Sequence, residues 1–475
     1  MARNSGGKGP HMANHNLTKE ARGENALALA TLLGLEVSDA HALLDFTYVI
    51  TNDEDDPVAK SLAREIDPII ARTAVPSIIT ANSISPTVEV IIGSATPRTK
   101  AKSIYVYVSD KKISIGTKRA TPAKCTPLHP LLLLIGACYA VASTIYHSVD
   151  ATFPFSMPDP LCIDFRSLGI DSTYLDQNLD IGEVHLAGAG AIGNAFLWAA
   201  RHVRLSGKLH IIDDDFVSSG NLNRQIWFTP DDIGRSKAIR LAERAKFELP
   251  KLELLPKQSR LEELPEREGA WLRRLIVGVD SRRARRTLQN EFPGEVFDAS
   301  TTDMREIVLH YNRQPTDLAC LSCIYEPDQQ ESSRESHIAE HLGVSLVDVR
   351  SQRISEEAAE RIVSRFPMLA AKDLFGLSYD TLFKQLCGEG KLKILGTTVT
   401  APFAFVSILA GGYLVLDLIQ RLSQQHIAKH NYWRISPWHP PLAARRTQRA
   451  RQPDCKFCSD PILTLVNRQL WGIGS

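Results

Sequence analysis

The sequence predicts an α/β protein built on a parallel nucleotide-binding sheet, and three observations carry that expectation. The run EVHLAG has the apolar character of a short buried strand, breaks at Gly188, Gly190 and Gly193, and gives way to AIGNAFLWAARHV, whose apolar residues take helical spacing. A second strand-like run, KLHIID, ends at Asp213, about twenty residues past the last glycine, where an acid in such a fold meets ribose hydroxyls. Strand-like and helix-like runs also alternate upstream, which places a second α/β domain in the first third of the chain.

At 475 residues the chain exceeds one ordinary domain, and two or three are expected. Hydrophobic residues make up 44% and charged residues 23%, a globular composition, and a net charge of +1 gives no overall pull toward nucleic acid or a membrane surface. Residues 1–16 include MARNSGGKGPHM, which resembles an expression-tag remnant ahead of a start at Met12, and are set aside. From 17 to 155, KEARGENALALATLLGL and DPVAKSLAREIDPIIART have helical patterns, and TVEVIIG, SIYVYVS and KISIG have strand patterns. HPLLLLIGACYAVASTIY is the longest apolar run, and its small and hydroxylated residues make it a buried helix rather than a membrane span of about 20 residues. PFSMPDPLCIDF, rich in proline, is expected to link this domain to the one at 156–475. With no membrane span and no signal-like start, the expected location is the cytoplasm, where thiols stay reduced.

In the second domain the chemistry concentrates between Glu183 and Asp280. Glycines let the backbone approach an anion, whose charge is met by free N–H groups and the positive end of the helix dipole. Those features alone fit an NAD enzyme equally well. NLNRQ, holding Asn221, Arg224 and Gln225, and DIGRSK, opening the next helix at Lys237, are more specific. Two fixed cations suit a triphosphate whose charge must be neutralised while it reacts. RLIVGV then ends at Asp280, a carboxylate at the carboxyl edge of the sheet, where Mg2+ can bridge it to the phosphates. GEVFDAS and EIVLHY continue as strands, and about 327–386 turns helical and charged, an insertion that is either a solvated cap or a partner-recognition element. The arginines of Ser281-Arg-Arg-Ala-Arg-Arg286 form either one exposed helix face or a surface for phosphates or an acidic partner. ARRTQRARQ is expected to be a solvated loop, since it lacks the interleaved aromatics of a nucleic-acid site.

The eight cysteines fall into groups. Cys320 with Cys323 and Cys455 with Cys458 are two CxxC pairs, each able to grip one side of a tetrahedral ion, and together they make a closed structural Zn2+ site. Cys125, Cys138 and Cys162 sit in apolar or linker contexts as packing residues. Cys387, in LCGEGKLKILGTTVTAP, is either a buried thiol at a helix end or a nucleophile.

The series GAGAIG, Asp213, NLNRQ, DIGRSK and VGVD, in that order and at those spacings, resembles the adenylation domain of ubiquitin-activating-type enzymes and their bacterial relatives in the ThiF and MoeB group. It covers about the last two thirds of the chain. The resemblance implies a Rossmann-like ThiF-type domain that uses ATP to activate the C-terminal carboxylate of a ubiquitin-like protein. In that scheme Arg224 and Lys237 neutralise the phosphates, Asn221 and Gln225 orient them, Asp213 holds the ribose and Asp280 organises Mg2+. It also implies that Cys387, which precedes a proline-started helix, accepts the acyl group as a thioester for a conjugating enzyme acting in trans. Two departures stand out: extra residues separate Cys387 from Pro402, and Ser281 stands where the family more often has asparagine. Because family adenylation domains work in pairs, the first domain is expected to be a degenerate, ATP-free copy, with EVIIGSATP in the place of EVHLAGAGAIG and only Gly93 kept; an unrelated adaptor is the alternative. The large first domain points toward the activating enzymes of bacterial ubiquitin-like conjugation operons, a setting of antiphage defence. A sulfur-carrier adenylyltransferase of cofactor biosynthesis is the runner-up and a catalytically silent scaffold the third reading. No nucleic-acid or membrane partner is expected, and pairing of two chains into a homodimer is left open.

Overall fold

The computed structural model describes residues 17–77, 85–120, 123–170, 172–265, 268–302, 304–327, 329–351, 353–388, 401–423 and 430–472. The tag-like residues 1–16 lie outside them. The first third of the chain runs α1 (Lys19–Leu33), α2 (Val37–Leu43), β1 (Thr47–Asn52), α3 (Pro57–Ile70), β2 (Val75–Pro76), β3 (Val88–Ile92), β4 (Lys102–Ser109), β5 (Lys112–Gly116), α4 (Pro130–Ser148) and β6 (Leu161–Asp164). Local chemistry sets these boundaries. The Thr18 hydroxyl accepts from the Ala21 amide to start α1, and Gly34 stops it with φ 68°. Asp56 caps α3, with Pro57 at its first turn.

After the short α5 (Ser172–Leu175) come β7 (Asn178–Ala187), α6 (Ala191–Ala200), β8 (Arg204–Ile212), α7 (Lys237–Ala245), β9 (Leu252–Lys257), β10 (Arg274–Val277), α8 (Arg282–Gln289), β11 (Glu295–Thr302), β12 (Glu306–Arg313) and α9 (Leu321–Ile324). Tyr325–Val399 forms a separate compact unit. It holds α10 (Gln329–Leu342), α11 (Leu346–Arg350), α12 (Glu356–Arg365), α13 (Ala371–Leu374) and α14 (Tyr379–Gly388) around its own core of Ile338, Leu342, Ile354, Ile362, Phe366 and Leu386. The main body resumes with α15 (Ala404–Ser423), β13 (Tyr432–Ile435), β14 (Arg446–Thr447) and α16 (Pro461–Trp471).

Two sheets result, ordered β2-β1-β3-β4-β5-β6 and β14-β13-β12-β11-β10-β7-β8-β9. They repeat one plan. In each, a central strand feeds a helix that returns to a neighbouring parallel strand, β1-α3-β2 and β7-α6-β8. Parallel strands follow on the other side, β3 and β4 against β10 and β11. An antiparallel strand, a long apolar helix and another antiparallel strand complete the plan: β5, α4, β6 and β12, α15, β13.

This plan corrects three expectations. The counterpart of β7 is β1, which lay unread in TYVITN, so the glycine turn corresponds to Asp53–Asp56 and not to EVIIGSATP, which holds the end of β3, the counterpart of β10. The stretch read as a linker contains β6, which closes the edge of the first sheet by pairing Ile113 with Ile163. Where the sequence offered one long apolar run and read it as too polar to span, two helices among the described residues are long and apolar enough to cross a membrane, α4 and α15, each with mean hydropathy 1.5. Both are buried in the main core and pack on one another, with α3 and α6 on their flanks. Close approach is built in. A Cβ on Gly411 of α15 would lie 2.4 Å from the backbone of Ala195 in α6, and one on Gly412 would lie 3.2 Å from Ile135 of α4. At the helix ends, Glu65 of α3 pairs with Arg201 and, at 3.4 Å, with His202 just past α6.

Candidate active site

The site begins where β7 ends. Gly188 takes φ 97° and its α-carbon approaches the Gly278 backbone so closely that a Cβ would sit at 2.9 Å, while a Cβ on Gly193 would meet the Gly188 carbonyl oxygen at 1.9 Å. Gly190 differs. It stands at the N-cap of α6, no side chain caps that end, and nothing lies within 4 Å of where its Cβ would be. The turn is thus tight on its protein side and open above the helix N-terminus, which suits an anion.

Asp213, one residue past β8, ties this turn down. Its Oδ2 accepts from the Ala189 amide at 2.6 Å and its Oδ1 from the Asp215 amide at 2.8 Å. Burial pushes its pKa up to about 7, with Asp215 adding to the rise and Lys237 opposing it. Lys237 opens α7, is buried, and places Nζ 2.8 Å from Asp215 Oδ2. Burial works against its ammonium, but Asp215, Asp213 and Asp280 outweigh that and hold its pKa above the ordinary value.

NLNRQ begins inside a 3-10 turn over Ser219–Asn223 and continues past it with Arg224 and Gln225. The Asn221 side chain is committed to the turn, accepting from the Ser218 amide at 3.1 Å. Arg224 donates to Asn223 Oδ1 at 2.8 Å and to the Gly220 carbonyl at 3.3 Å, and Glu24 of α1 lies 4.0 Å away. Burial lowers its pKa, against the pull of Glu24 and Asp280. Gln225 is 2% exposed, and its Oε1 has no hydrogen-bond partner among the described residues; the same holds for Nδ2 of the fully buried Asn194 on α6. Two orphaned polar atoms beside an uncapped helix are what a polar ligand would satisfy. Asp280, exposed beyond β10, is felt by both Arg224 and Lys237. The glycine turn, Asp213, Arg224, Lys237 and Asp280 therefore share one electrostatic neighbourhood.

The corresponding place in the first sheet is filled by the chain itself. Asp56 is 1% exposed. Its Oδ1 accepts from the Val58 and Ala59 amides at 3.0 Å each, and its Oδ2 from the Cys125 amide at 2.6 Å. A carboxylate occupies the helix end that a phosphate would need.

Cys320, Cys323, Cys455 and Cys458 come together, with all their sulfurs within 4.8 Å of one another and four of the six pairs 3.5 to 3.8 Å apart. Four sulfurs at about 2.3 Å from a tetrahedral Zn2+ lie about 3.8 Å apart, so the donor set fits that ion with no open position. Phe292 and Phe457 pack against it. Cys387 lies in the last turn of α14, in the separate helical unit; its side chain is outside the described residues, as is the segment 389–400. The arginine run after Asp280 divides: Arg285 is buried and binds Asp298 Oδ1 at 2.9 Å and the Ala299 carbonyl at 2.8 Å, a structural use, while Arg282 is exposed. The later basic run is also spent on packing, with Arg446 over the Trp433 ring and Arg449 over Tyr432.

The sequence reading missed Asp215, Asn194, Glu24, Asn25 and Arg72. Asp215 and Asn194 had a signal, standing two residues past Asp213 and directly after Gly193. The other three lie in the first domain, and only the fold brings them to the second.

The E1 N-terminal domain family matches residues 18–171 and the ThiF family matches residues 168–457, more than half of the chain. The chain belongs to the ThiF family. This ThiF-family protein is 27% identical to the uncharacterized protein y4jF of Sinorhizobium fredii over 64% of its own length and 61% of that protein's. It is 29% identical to the NEDD8-activating enzyme E1 catalytic subunit of Arabidopsis thaliana over 28% of its own length and 29% of that subunit's. It thus spans about three fifths of the first relative and under a third of the second. With E. coli MccB solved with ATP, the ThiF-family protein shares 14% identity at a TM-score of 0.35, covering 75% of its own chain and 97% of MccB.

Proposed function

We propose that this ThiF-family protein uses ATP to join AMP to the C-terminal carboxylate of a ubiquitin-like protein, then takes the acyl group onto Cys387 as a thioester for a conjugating enzyme supplied in trans. The observation that supports the first step most is that Asp280 acts on both Arg224 and Lys237, while Asp213, which also acts on Lys237, bonds the Ala189 amide in the turn before the uncapped α6. No general base is required. An ionised carboxylate oxygen attacks the α-phosphorus, the bond to the β-phosphate oxygen breaks, and pyrophosphate leaves. The barrier is repulsion between the carboxylate and the phosphates and the alignment of the attack, which fixed cations and backbone amides lower.

The residues have distinct parts in this scheme. The Gly190 turn receives phosphate, Arg224 and Lys237 neutralise it, and Gln225 and Asn194 offer unspent polar atoms to the nucleotide. Asp213 holds the turn from below and faces the ribose. Asp280 would hold Mg2+, which supplies charge neutralisation across the phosphates when bound. Cys320, Cys323, Cys455 and Cys458 would hold Zn2+ as a staple between the segment after β12 and the C-terminal helix α16. In the second step the Cys387 thiolate attacks the acyl carbonyl and AMP leaves.

Exchange of labelled pyrophosphate into ATP, with candidate ubiquitin-like proteins ending in glycine, tests the reading. Wild type should support exchange and Asp280→Ala should lose it. Exchange that survives Asp280→Ala removes that residue's role. Exchange without any reducible adduct on the protein favours a sulfur-carrier adenylyltransferase instead.

A further inference from the structure

The loop that carries Arg224 and Gln225 is held from the first domain at three levels. Thr18 donates its hydroxyl to the Ser219 carbonyl at 3.0 Å. Arg72, just past the end of α3, sends Nη1 to the Leu222 carbonyl at 2.6 Å and Nη2 to the Ile226 and Phe228 carbonyls at 2.8 and 3.1 Å. These three carbonyls bracket Asn223, Arg224 and Gln225. Asn25, 1% exposed, then connects the two sides: its Nδ2 donates to the Arg72 carbonyl at 2.7 Å, and its Oδ1 accepts from Asn223 Nδ2 at 2.9 Å. Asn223 Oδ1 in turn accepts from Arg224 Nη1. A relay of hydrogen bonds thus runs from Arg72 through Asn25 and Asn223 to the guanidinium of Arg224, across a sequence gap of about 150 residues.

The geometry of the Arg72 fork is specific. A guanidinium has five donors in a fixed plane and serves several carbonyls at once, whereas a lysine ammonium on a flexible stem has three donors and no fork. Burying a cation costs free energy unless it is well bonded, and burial lowers the Arg72 pKa to about 10. Such a cation, whose bonds among the described residues all go to main-chain oxygens, is poorly explained by stability alone. A short loop that must present a cation within a fraction of an ångström of a phosphate is the feature that needs it.

We infer that Arg72 and Asn25 are positioning residues for the nucleotide, and that the first domain, closed to nucleotide by Asp56, serves the second as a splint for the loop 219–228. This rests on the proposed nucleotide site and names what aligns it. Neither residue touches the nucleotide. Each acts through the conformation of Arg224 and Gln225.

The test compares Arg72→Lys, Arg72→Ala and Asn25→Ala with wild type by calorimetric titration of MgATP, by amide hydrogen exchange of residues 219–228 without nucleotide, and by thermal unfolding. Arg72→Lys keeps the charge and most of the volume, so it should fold, yet it should weaken MgATP binding about 10- to 100-fold and speed exchange across the loop. Methylguanidinium added to Arg72→Ala should restore part of the affinity. The inference is overturned by variants that lose thermal stability but bind MgATP as wild type does, or by loop amides that exchange at the wild-type rate. Wild type that binds MgATP yet supports no pyrophosphate exchange sinks the proposed activity, and the affinity comparison still decides the role of Arg72.

Discussion

Asp56 and Gly190 stand at the same end of the two equivalent crossover helices, and one of them fills with its own carboxylate the position the other leaves open. The two halves of the main body share a plan and differ at the point where an anion would enter.

That difference predicts an asymmetric response to mutation. Asp56→Ala removes a helix cap and strands the half-buried Cys125 amide, so it should cost about 1–2 kcal/mol in thermal or denaturant unfolding. MgATP stoichiometry should remain one per chain. A second equivalent bound by the variant would show that the first half had kept a usable site.

The glycine pair in α15 should be unequal. Gly411→Ala drives a methyl group into the Ala195 backbone at 2.4 Å, which cannot rotate away, and should cost about 1–3 kcal/mol or more. Gly412→Ala meets only the Ile135 side chain at 3.2 Å, which can shift, and should cost clearly less. Equal melting temperatures for the two variants would mean that α15 and α6 are not in close contact.

Asp213 should leave a signature in the pH dependence of stability. Its pKa is raised from 3.8 to about 7 in the folded chain, so the folded state holds a proton that the unfolded state has lost. The contribution is complete below the ordinary carboxylate value and is lost as pH rises through about 7. Nucleotide-free Asp213→Asn should therefore lose less melting temperature than wild type between about pH 5 and 8. Parallel curves would contradict a buried, protonatable Asp213.

Removal of metal should separate stability from chemistry. Chelation, or Cys455→Ser, should release about one Zn2+ per chain and lower the melting temperature. Pyrophosphate exchange measured well below that temperature should persist. Loss of exchange in a folded, zinc-free chain would give the ion a role in the reaction.

Cys387 predicts a split between the two steps. Cys387→Ala should keep pyrophosphate exchange and lose the thiol-sensitive adduct seen on a non-reducing gel. An adduct that persists would move the nucleophile to another thiol, of which Cys162 is exposed.

Much of the second half was legible because its signals are local. Glycines that cannot bear a Cβ, a helix starting at Lys237 and a CxxC pair each declare themselves within a few residues. The first half was harder. At its nucleotide turn stands an acidic cap, so Gly93 after β3 is the nearer match to a glycine turn and TYVITN, which lacks any glycine, carries no such signal. Helix α15 carries Asp417 and Arg421 near one end, which masked how apolar the rest of it is. Arg72 and Asn25 carry no sequence pattern at all; their meaning comes from hydrogen bonds that span from one half to the other.

The burial of α4 against α15 has a consequence for how the polypeptide is made. Each is a greasy rod covered partly by a flanking helix of its own half and partly by the other, and the second is translated roughly 250 residues after the first. At about 5–20 residues per second, α4 waits on the order of 10–50 s for its mate. A gene split between them would leave each fragment with an apolar helix face that the other half covers, so the two fragments should stay soluble better when made together than apart.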